Sequence, residues 1–530
     1  MRTLLALSII SLAGCVGSVG DPPGETEVDG TDPGDPRLEA RVWRLTPAQY
    51  NGEVQRMFPG APTVNLPEGS SEYGLTNIAE TARIDLGNAS QWTEAARSIG
   101  SWAGAQGATA ARCETFGTSG CIDAVLEWLP EAAYRRPPTT GEISELRGVY
   151  EDTVVAYGQE WAFAALVRSV LLSPQFLYRY EIGPAAKGVV EIDEYEIASL
   201  LSFALTNEGP DDELLSDAKA GLLRDPSVRE DHVRRLMDRT APVWQRFFWE
   251  WLKMSTLESQ GNETGLDPAL VAALEQEYQA FVGAIVVDDR GGLRELLTTT
   301  HTWATPEVAS YYGATHPGTG VEQIELDPLQ RGGLLTLGAW LVAHGKDGRD
   351  NVVRRGMAIY RDAMCNDITP LDIDLEAALQ ELVGADATIK EIADARGADA
   401  TCGACHRTSD PVGLSFESYA GDGTWQNVYE DGKPVEAEVV LDGVTYANAP
   451  ELAASLTEDE SFTLEVRSTM SSDMTGTTTS TRVTRRSSRV VATARSGLGA
   501  TFVCETSTDP SASRTTGCLR AYAMRSALLM

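Results

Sequence analysis

The sequence is poor in histidine and in positive charge. Its 530 residues include five histidines, and 77 acidic side chains against 43 basic ones give a formal net charge of −34. Such a negative field repels phosphate backbones and anionic lipid head groups, which argues against nucleic-acid binding and against electrostatic docking on a membrane. We expect a solvated acidic exterior that favours cationic partners or bound calcium.

Long apolar runs and familiar catalytic motifs are also missing. Beyond the first residues no segment reaches eighteen consecutive apolar residues, so we expect no membrane-spanning helix in the body of the chain. The sequence has no G-x-S-x-G elbow, no P-loop and no H-E-x-x-H helix. The acidic clusters at 211–213 and 458–460 are typical of helix starts or solvated faces, so no catalytic carboxylate pair stands out. Whether the chain is an enzyme stays open.

The first 15 residues have the pattern of a bacterial lipoprotein signal. Arg2 precedes an apolar run from Leu4 to Leu12 that is too short to span a bilayer as a mature helix. The end of this stretch, Leu-Ala-Gly-Cys, resembles a lipobox in which Cys15 is lipidated; the alternative is an ordinary signal peptide cleaved near Cys15. We expect attachment to the cell envelope by lipid, at the outer membrane or cell surface.

Helical periodicity dominates the body of the chain. Apolar residues recur at helical spacing behind four predicted helix starts, and burial alone explains these stripes. The starts are Thr139 with Glu142, Asp193 with Glu196, Ser227 with Glu230, and Asp267 with Pro268. Pro242 should break or kink a helix before the aromatic run that follows it. Beyond Trp425, Asp-Gly pairs at 431–432 and 442–443 with β-branched residues between them predict a small hairpin or meander.

An exported chain meets an oxidising compartment, so its eight cysteines are first candidates for disulfides or cofactor ligands. The close pairs Cys113/Cys121 and Cys504/Cys518 are candidate local disulfides. Cys365 is then left without a partner.

The stretch Cys402-Gly403-Ala404-Cys405-His406 has the spacing of covalent haem attachment. Two thiols can form thioethers with the haem vinyl groups, and His406 can ligate the iron from the proximal side. The alternatives are a disulfide between Cys402 and Cys405 or with Cys365, another metal site that uses Cys365 as fourth ligand, and a chance spacing. A thioredoxin-like site is disfavoured, because it needs a strand before the motif and the preceding segment is predicted to be helical.

The distal ligand of such a haem is harder to choose. His344 and His316 are the histidine candidates, and Met470 and Met474 follow the motif, where a cytochrome's distal methionine would come. An open or water-bound sixth position is equally compatible with the sequence.

Six stretches occur in an order that resembles a known family. They are residues 45–58, 132–146, 166–181, 192–215, 330–345 and 402–425. Together they resemble the planctomycete-type cytochrome c-associated surface proteins, which are built from an ordered series of domains of unknown function. The resemblance implies that Cys402, Cys405 and His406 form a cytochrome-like motif supported by a turn at Asp410, Pro411 and Gly413. It implies no reaction or substrate.

We therefore predict a mainly α, multi-domain protein with a small cytochrome c-like module and a short β-hairpin region. The predicted segments are a signal peptide at 1–15, a flexible linker at 16–37, helical domains at 38–185 and 186–328, the CxxCH domain at 329–460 and a C-terminal region at 461–530. The longer relatives have a separate amino-terminal cytochrome domain that we do not find here. We expect a single haem c, electron transfer and an external redox partner; the competing hypothesis is a non-enzymatic binding or scaffold lipoprotein in which Cys402 and Cys405 form a disulfide or metal cross-link.

Overall fold

The structure is a computed structural model of the chain. It describes residues 37–39, 41–69, 75–79, 83–183, 189–289, 291–346, 351–363, 387–400, 402–429, 431–441, 443–459, 462, 466, 480–486, 489–495 and 501–505. Within these ranges the protein is mainly helical, as the sequence predicts, and its strands are short and antiparallel. The predicted domain boundaries stay predictions.

A bundle of helices forms the amino-terminal part. The helices are Pro47–Met57, Ala89–Gln106, Ala108–Ala111, Ser119–Tyr134, Thr140–Tyr157, Gln159–Leu172 and Pro174–Leu177. The predicted capping box is present, with Thr139 accepting from the Glu142 amide at 3.2 Å and the Glu142 carboxylate accepting from the Thr139 amide at 2.7 Å. Two glycines allow the Ala89–Gln106 and Gln159–Leu172 helices to pack closely, since a Cβ on Gly100 or Gly104 would lie 2.6 or 2.7 Å from a carbonyl oxygen of the second helix.

Eight α-helices form the central part. They are Glu194–Thr206, Asp212–Ala220, Pro226–Leu236, Ala241–Trp251, Leu257–Glu263, Pro268–Gly283, Leu293–Thr298 and Pro306–Tyr312, with 3-10 turns at Met237–Arg239 and Met254–Thr256 and a π-helical turn at Ala284–Asp288. The caps predicted at Asp193 and Asp267 are confirmed. The start predicted at Ser227 is wrong by two residues. Asp225 is the N-cap and accepts from the Ser227 amide at 2.8 Å, because Pro226 is preorganised for the first helical position.

The carboxy-terminal part has shorter helices. They are Gly338–Ala343, Asn351–Met357, Ile389–Ala398, Gly403–Leu414 and Ala449–Leu456, with a 3-10 turn at Leu334–Thr336 and a π-helical turn at Ala358–Ala363. We call Gly403–Leu414 the motif helix, because the CxxCH sequence begins it.

The strands pair in small sheets. The pairs are Arg37–Glu39 with Val189–Glu191, Arg41–Arg44 with Tyr178–Glu181, His301–Ala304 with Glu322–Glu325, and Val439–Leu441 with Val444–Tyr446. The last pair is the predicted hairpin, and Gly443 has the positive φ of 80° that its turn requires. The other Asp-Gly pair makes a turn flanked by an isolated bridge between Val428 and Pro434. A three-stranded sheet follows, in the order Thr501–Glu505, Arg489–Arg495, Ser480–Arg486.

The largest hydrophobic cluster joins the central helices to the segment that follows the motif helix. Trp251, Tyr278, Trp340 and Phe416 all belong to it, and each is at most 3% exposed. Phe416 packs against Trp340 with ring centroids 5.1 Å apart. The end of the motif helix is therefore anchored in the main core, which restricts its movement.

One described helical stretch, Pro268–Asp288, is long and apolar enough to cross a membrane by length and composition alone. In this structure 44% of its most apolar window is buried inside the protein. Core helices pass the same test, so the stretch is weak evidence for a span.

The same helix carries a buried carboxyl group. Glu277 is fully buried, and it accepts hydrogen bonds from the Tyr312 hydroxyl at 2.6 Å and from the Thr302 hydroxyl at 2.9 Å. The Tyr312 oxygen in turn accepts from the Gly338 amide at 2.7 Å. Burial raises the pKa of Glu277 to about 7, although the two hydroxyl donors oppose the shift. The Glu277 carboxyl thus links its own helix to the His301–Ala304 strand and the Pro306–Tyr312 helix, and its burial makes it difficult to ionise.

The raised pKa predicts a pH dependence of stability. Glu277 stays protonated in the folded protein up to about pH 7, whereas an unfolded glutamate ionises near 4.3, so the free energy of unfolding falls as pH rises between these values and is constant above. Because of this carboxyl, the free energy of unfolding of the parent protein should fall by ~2 kcal/mol between about pH 5 and about pH 7, and Glu277→Gln should remove that fall. Urea unfolding at both pH values measures this, with the exposed Glu275→Gln on the same helix as control. An unchanged pH slope in Glu277→Gln would contradict the assignment.

Candidate functional site

The CxxCH sequence occupies the first turn of the motif helix. Cys402 is the N-cap residue, and its carbonyl oxygen accepts from the amides of Cys405 at 3.2 Å and His406 at 3.1 Å. Asp399 fixes the entry to the turn, since its carboxylate accepts from the Cys402 amide at 2.8 Å. Residues three and four positions apart share one face of a helix, so the local fold brings both thiols and the imidazole to the same side.

Both thiols of the motif are free in this structure. Cys402 is buried and Cys405 is partly exposed, and no disulfide joins them. Burial raises the pKa of the Cys402 thiol, and the Asp399 carboxylate raises it further through a hydrogen bond and its charge. The protonated thiol is therefore favoured at Cys402. In the described part of the chain, no group of three or more histidine, cysteine or acidic side chains is placed to hold a metal ion.

A hydrogen-bonded chain of three side chains orients His406. Its Nδ1 atom lies 2.8 Å from Oδ1 of Asp410, one helical turn further on, and Oδ2 of Asp410 accepts from Nε of Arg396 at 2.8 Å. Asp410 is 1% exposed and Arg396 is 5% exposed. An ionised carboxylate only accepts hydrogen bonds, so the network assigns the proton to Nδ1. The other ring nitrogen, Nε2, keeps its lone pair and has no hydrogen-bond partner among the described residues.

Close backbone contact holds the motif helix in place. A Cβ on Gly413 would lie 1.8 Å from the Val352 carbonyl oxygen, and a Cβ on Gly356 would lie 2.2 Å from the Ser409 carbonyl oxygen. The motif helix and the Asn351–Met357 helix therefore touch backbone to backbone. Only glycine fits at either position. The turn expected at Asp410, Pro411 and Gly413 is wrong, because these three residues lie inside the motif helix, where Gly413 is needed for close packing.

A buried arginine fastens the chain that leaves the motif helix. Arg355 donates to the carbonyl oxygens of Tyr419 at 2.6 Å and Ala420 at 2.7 Å, and also to those of Phe416 and Leu341. Burial lowers the pKa of Arg355 to about 10, so it remains charged at neutral pH. Nearby, burial raises the pKa of Glu417 to about 7.

The predicted histidine candidates for a distal ligand are engaged elsewhere. His344 is buried, with Nε2 2.8 Å from the Leu252 carbonyl oxygen and its ring against Trp340. Both ring nitrogens of His316 lie within 2.9 Å of carbonyl oxygens. These contacts disfavour both histidines as iron ligands. The methionine candidates Met470 and Met474 lie outside the described residues, so the distal ligand stays open.

Of the other predicted cysteine sites, one is observed. The sulfurs of Cys113 and Cys121 are 2.23 Å apart, which confirms this pair as a disulfide. Cys15, Cys365 and Cys518 lie outside the described residues. Cys504 belongs to the Thr501–Glu505 strand, but the structure does not describe its side chain, so the Cys504–Cys518 pair stays a prediction.

Sequence reasoning missed part of this site. Arg396 was not singled out, and the family resemblance assigned Asp410 only to a supporting turn. The spacing of four between His406 and Asp410 signals a contact once the segment is known to be helical. Nothing local indicates Arg396, because it reaches Asp410 from a different helix.

Three protein-family models match this chain. They are Protein of unknown function (DUF1595), named PSD5, at residues 121–181; Protein of unknown function (DUF1592), named PSD4, at residues 192–314; and Protein of unknown function (DUF1588), named PSCyt3, at residues 331–429. All three are planctomycete cytochrome c-associated domains. The predicted resemblance is thus confirmed for these segments, and the third contains the motif helix. Comparison with the curated proteins and with the solved structures finds no match.

The network around His406 predicts a stability effect. Asp410→Asn removes the charge that pairs with buried Arg396, and breaking such a pair leaves an uncompensated cation, so the free energy of unfolding should fall by ~3 kcal/mol. Urea unfolding measures the change. Asp394→Asn, an exposed change on the helix that carries Arg396, should alter stability by no more than ~0.5 kcal/mol. If Asp410→Asn and the parent protein have the same free energy of unfolding, the Arg396–Asp410 pair does not stabilise the fold.

Proposed function

We propose that this protein is an exported, lipid-anchored c-type haem protein that transfers electrons. Cys402 and Cys405 hold the haem covalently, and His406 is the proximal iron ligand. The observation that carries the proposal is the geometry of His406: Nδ1 is fixed by a buried carboxylate at 2.8 Å, while Nε2 is left with its lone pair. The matched PSCyt3 segment contains all three residues and adds support.

The residues present fit a covalently attached haem. Two unbridged thiols and an imidazole lie on one helical turn, which is the donor set that attachment and proximal ligation require. Bound haem would supply a one-electron redox centre. Cys402 and Cys405 would tether it, and His406 would ligate the iron through Nε2.

Asp410 and Arg396 act behind the ligand. A histidine that gives its second ring proton to a carboxylate is fixed in orientation and becomes a stronger donor. Asp410 supplies that carboxylate, and Arg396 holds it in place by a hydrogen bond of 2.8 Å. These two side chains keep Nδ1 protonated and leave Nε2 directed away from the network.

The competing hypothesis is a binding or scaffold lipoprotein cross-linked at the motif. Cys402 and Cys405 are unbridged, which does not favour the disulfide, and no cluster of three or more histidine, cysteine or acidic side chains within the described residues is arranged to hold a metal ion. We keep it as an outcome of the test below.

Haem attachment is directly measurable. The full chain, produced in a bacterial host with a working haem-attachment system, should give a band that stains for haem after denaturation and should show a Soret absorption. Cys402→Ser/Cys405→Ser should abolish the covalent stain. Thr408→Ala, an exposed change on the same helix, should retain it. An unstained parent protein of unmodified mass would end the electron-transfer proposal and favour the scaffold hypothesis.

Lipid anchoring has a separate test. Cells fed radiolabelled palmitate should label the parent protein, because Cys15 ends a lipobox-like sequence. Cys15→Ser should remove the label and release the protein from the membrane fraction, whereas Cys405→Ser should keep both properties. A membrane-bound, labelled Cys15→Ser protein would place the anchor elsewhere.

A further inference from the structure

A cavity of about 660 Å³ is lined by residues between Tyr134 and Arg224, and no residue of the motif helix lines it. Its walls are the end of the Ser119–Tyr134 helix, the Tyr178–Glu181 strand and the start of the Glu194–Thr206 helix. It therefore lies where the segment matched at 121–181 meets the segment that begins at 192. Junctions of this kind are common places for small-molecule sites, and the volume is in their usual range of roughly 300–1,000 Å³.

Four tyrosines line the cavity together with arginine and acidic side chains. Tyr178 and Tyr180 share one face of their strand and are half-buried, whereas the alternate residues of the strand are buried. Tyr134 and Tyr195 line the cavity from the two helices. The hydroxyls of Tyr178, Tyr180 and Tyr195 have no hydrogen-bond partner among the described residues. The wall thus offers aromatic faces together with free hydroxyls.

Two arginines that line the cavity are already paired with carboxylates. Arg136 forms a two-fold pair with Glu142, at 3.0 and 2.7 Å, and this pairing lowers the pKa of Glu142 to about 2. Arg224 pairs with Glu191 and lies 3.2 Å from a Glu194 oxygen. A phosphate or carboxylate ligand would have to compete with these carboxylates for the arginines. The cavity is therefore poorly suited to an anion.

An apolar ligand fits no better. Ile182 is the one aliphatic side chain among the described residues that line the cavity, and Ser199 and Gln175 add polar groups. A lipid tail or a quinone would leave the hydroxyls and the amide of the wall without hydrogen-bond partners, which is unfavourable. The chemistry favours a neutral ligand that has many hydroxyls.

The strand that carries two of the tyrosines is rigidly held. Arg135 has a left-handed backbone, with φ 59°, and its Nη2 donates to the carbonyl oxygens of Gln175 at 3.0 Å, Phe176 at 3.1 Å and Tyr178 at 2.9 Å. Arg179 is buried between the rings of Trp43 and Phe203, 3.9 and 4.5 Å from their centroids. A preorganised wall loses little conformational entropy when a ligand binds.

We propose that this cavity binds a neutral saccharide. A sugar ring has an apolar C–H face that packs on tyrosine rings and a rim of hydroxyls that both donate and accept hydrogen bonds. Arg136, Arg224 and Glu191 in the lining add donors and acceptors for neighbouring hydroxyls of such a ring. The proposal is independent of haem attachment.

Glycan binding tests the proposal. The detergent-solubilised full chain is applied to an array of neutral and acidic glycans, and the strongest neutral binder is then titrated by calorimetry. Tyr180→Ala should weaken its affinity by about tenfold or more, which corresponds to the loss of one aromatic platform at ~1.4 kcal/mol. Tyr180→Phe, which keeps the ring, should lose less.

The control is Tyr157→Ala, which removes a tyrosine that is 70% exposed and lies outside the cavity lining. It should leave affinity unchanged, and unaltered thermal unfolding of all variants shows that the fold is intact. The proposal is overturned if no neutral glycan binds the folded parent protein below about 10 mM, a weak limit on the usual affinity scale. It is also overturned if Tyr180→Ala binds as tightly as the parent, or if benzoate or inorganic phosphate displaces the glycan.

Discussion

Buried arginine side chains anchor irregular backbone segments of this protein through hydrogen bonds to carbonyl oxygens. Arg135 donates to three carbonyl oxygens in and before the Tyr178–Glu181 strand, and Arg331 donates to the Thr336 and Gly423 carbonyls at 2.6 and 2.8 Å. Arg355 donates to three carbonyls within residues 416–420 and to that of Leu341. A hydrogen bond from a charged donor contributes about 1.5–3 kcal/mol, and a buried carbonyl left unpaired costs a similar amount. Each arginine therefore satisfies backbone groups that neither a helix nor a sheet pairs, although the protein as a whole is strongly acidic.

The candidate haem site depends on this arrangement. Arg355 holds the segment after the motif helix, and its neighbour Gly356 allows that helix to approach at backbone distance. With the helix so placed, Asp410 lies within 2.8 Å of both His406 and Arg396. The same kind of contact stabilises the tyrosine-lined cavity, since Arg135 donates a hydrogen bond to the backbone of the strand that carries Tyr178 and Tyr180. Two separate sites are thus made rigid by the same kind of contact.

Local patterns predicted much of the fold. The capping boxes at Thr139 and Asp193 and the hairpin at Gly443 are confirmed, because each depends on residues within a few positions of one another. The helix start at Ser227 was misplaced because Ser and Asp are both good caps, and Pro226 decided between them. The buried carboxyl of Glu277 could not be predicted, since its partners Thr302 and Tyr312 come from other elements.

The sequence by itself determined that the chain is mainly helical, that two thiols and an imidazole lie within five consecutive residues, and that Cys113 and Cys121 are close enough along the chain to pair. These relations follow from the 3.6-residue period of the helix and from short loops, so they need no knowledge of distant residues. The tertiary structure alone decided that Arg396 reaches Asp410, that the predicted histidine ligands are occupied at carbonyl oxygens, and that tyrosines from three elements surround one cavity. Such contacts join residues that are far apart along the chain, and only the packing of complete helices brings them together.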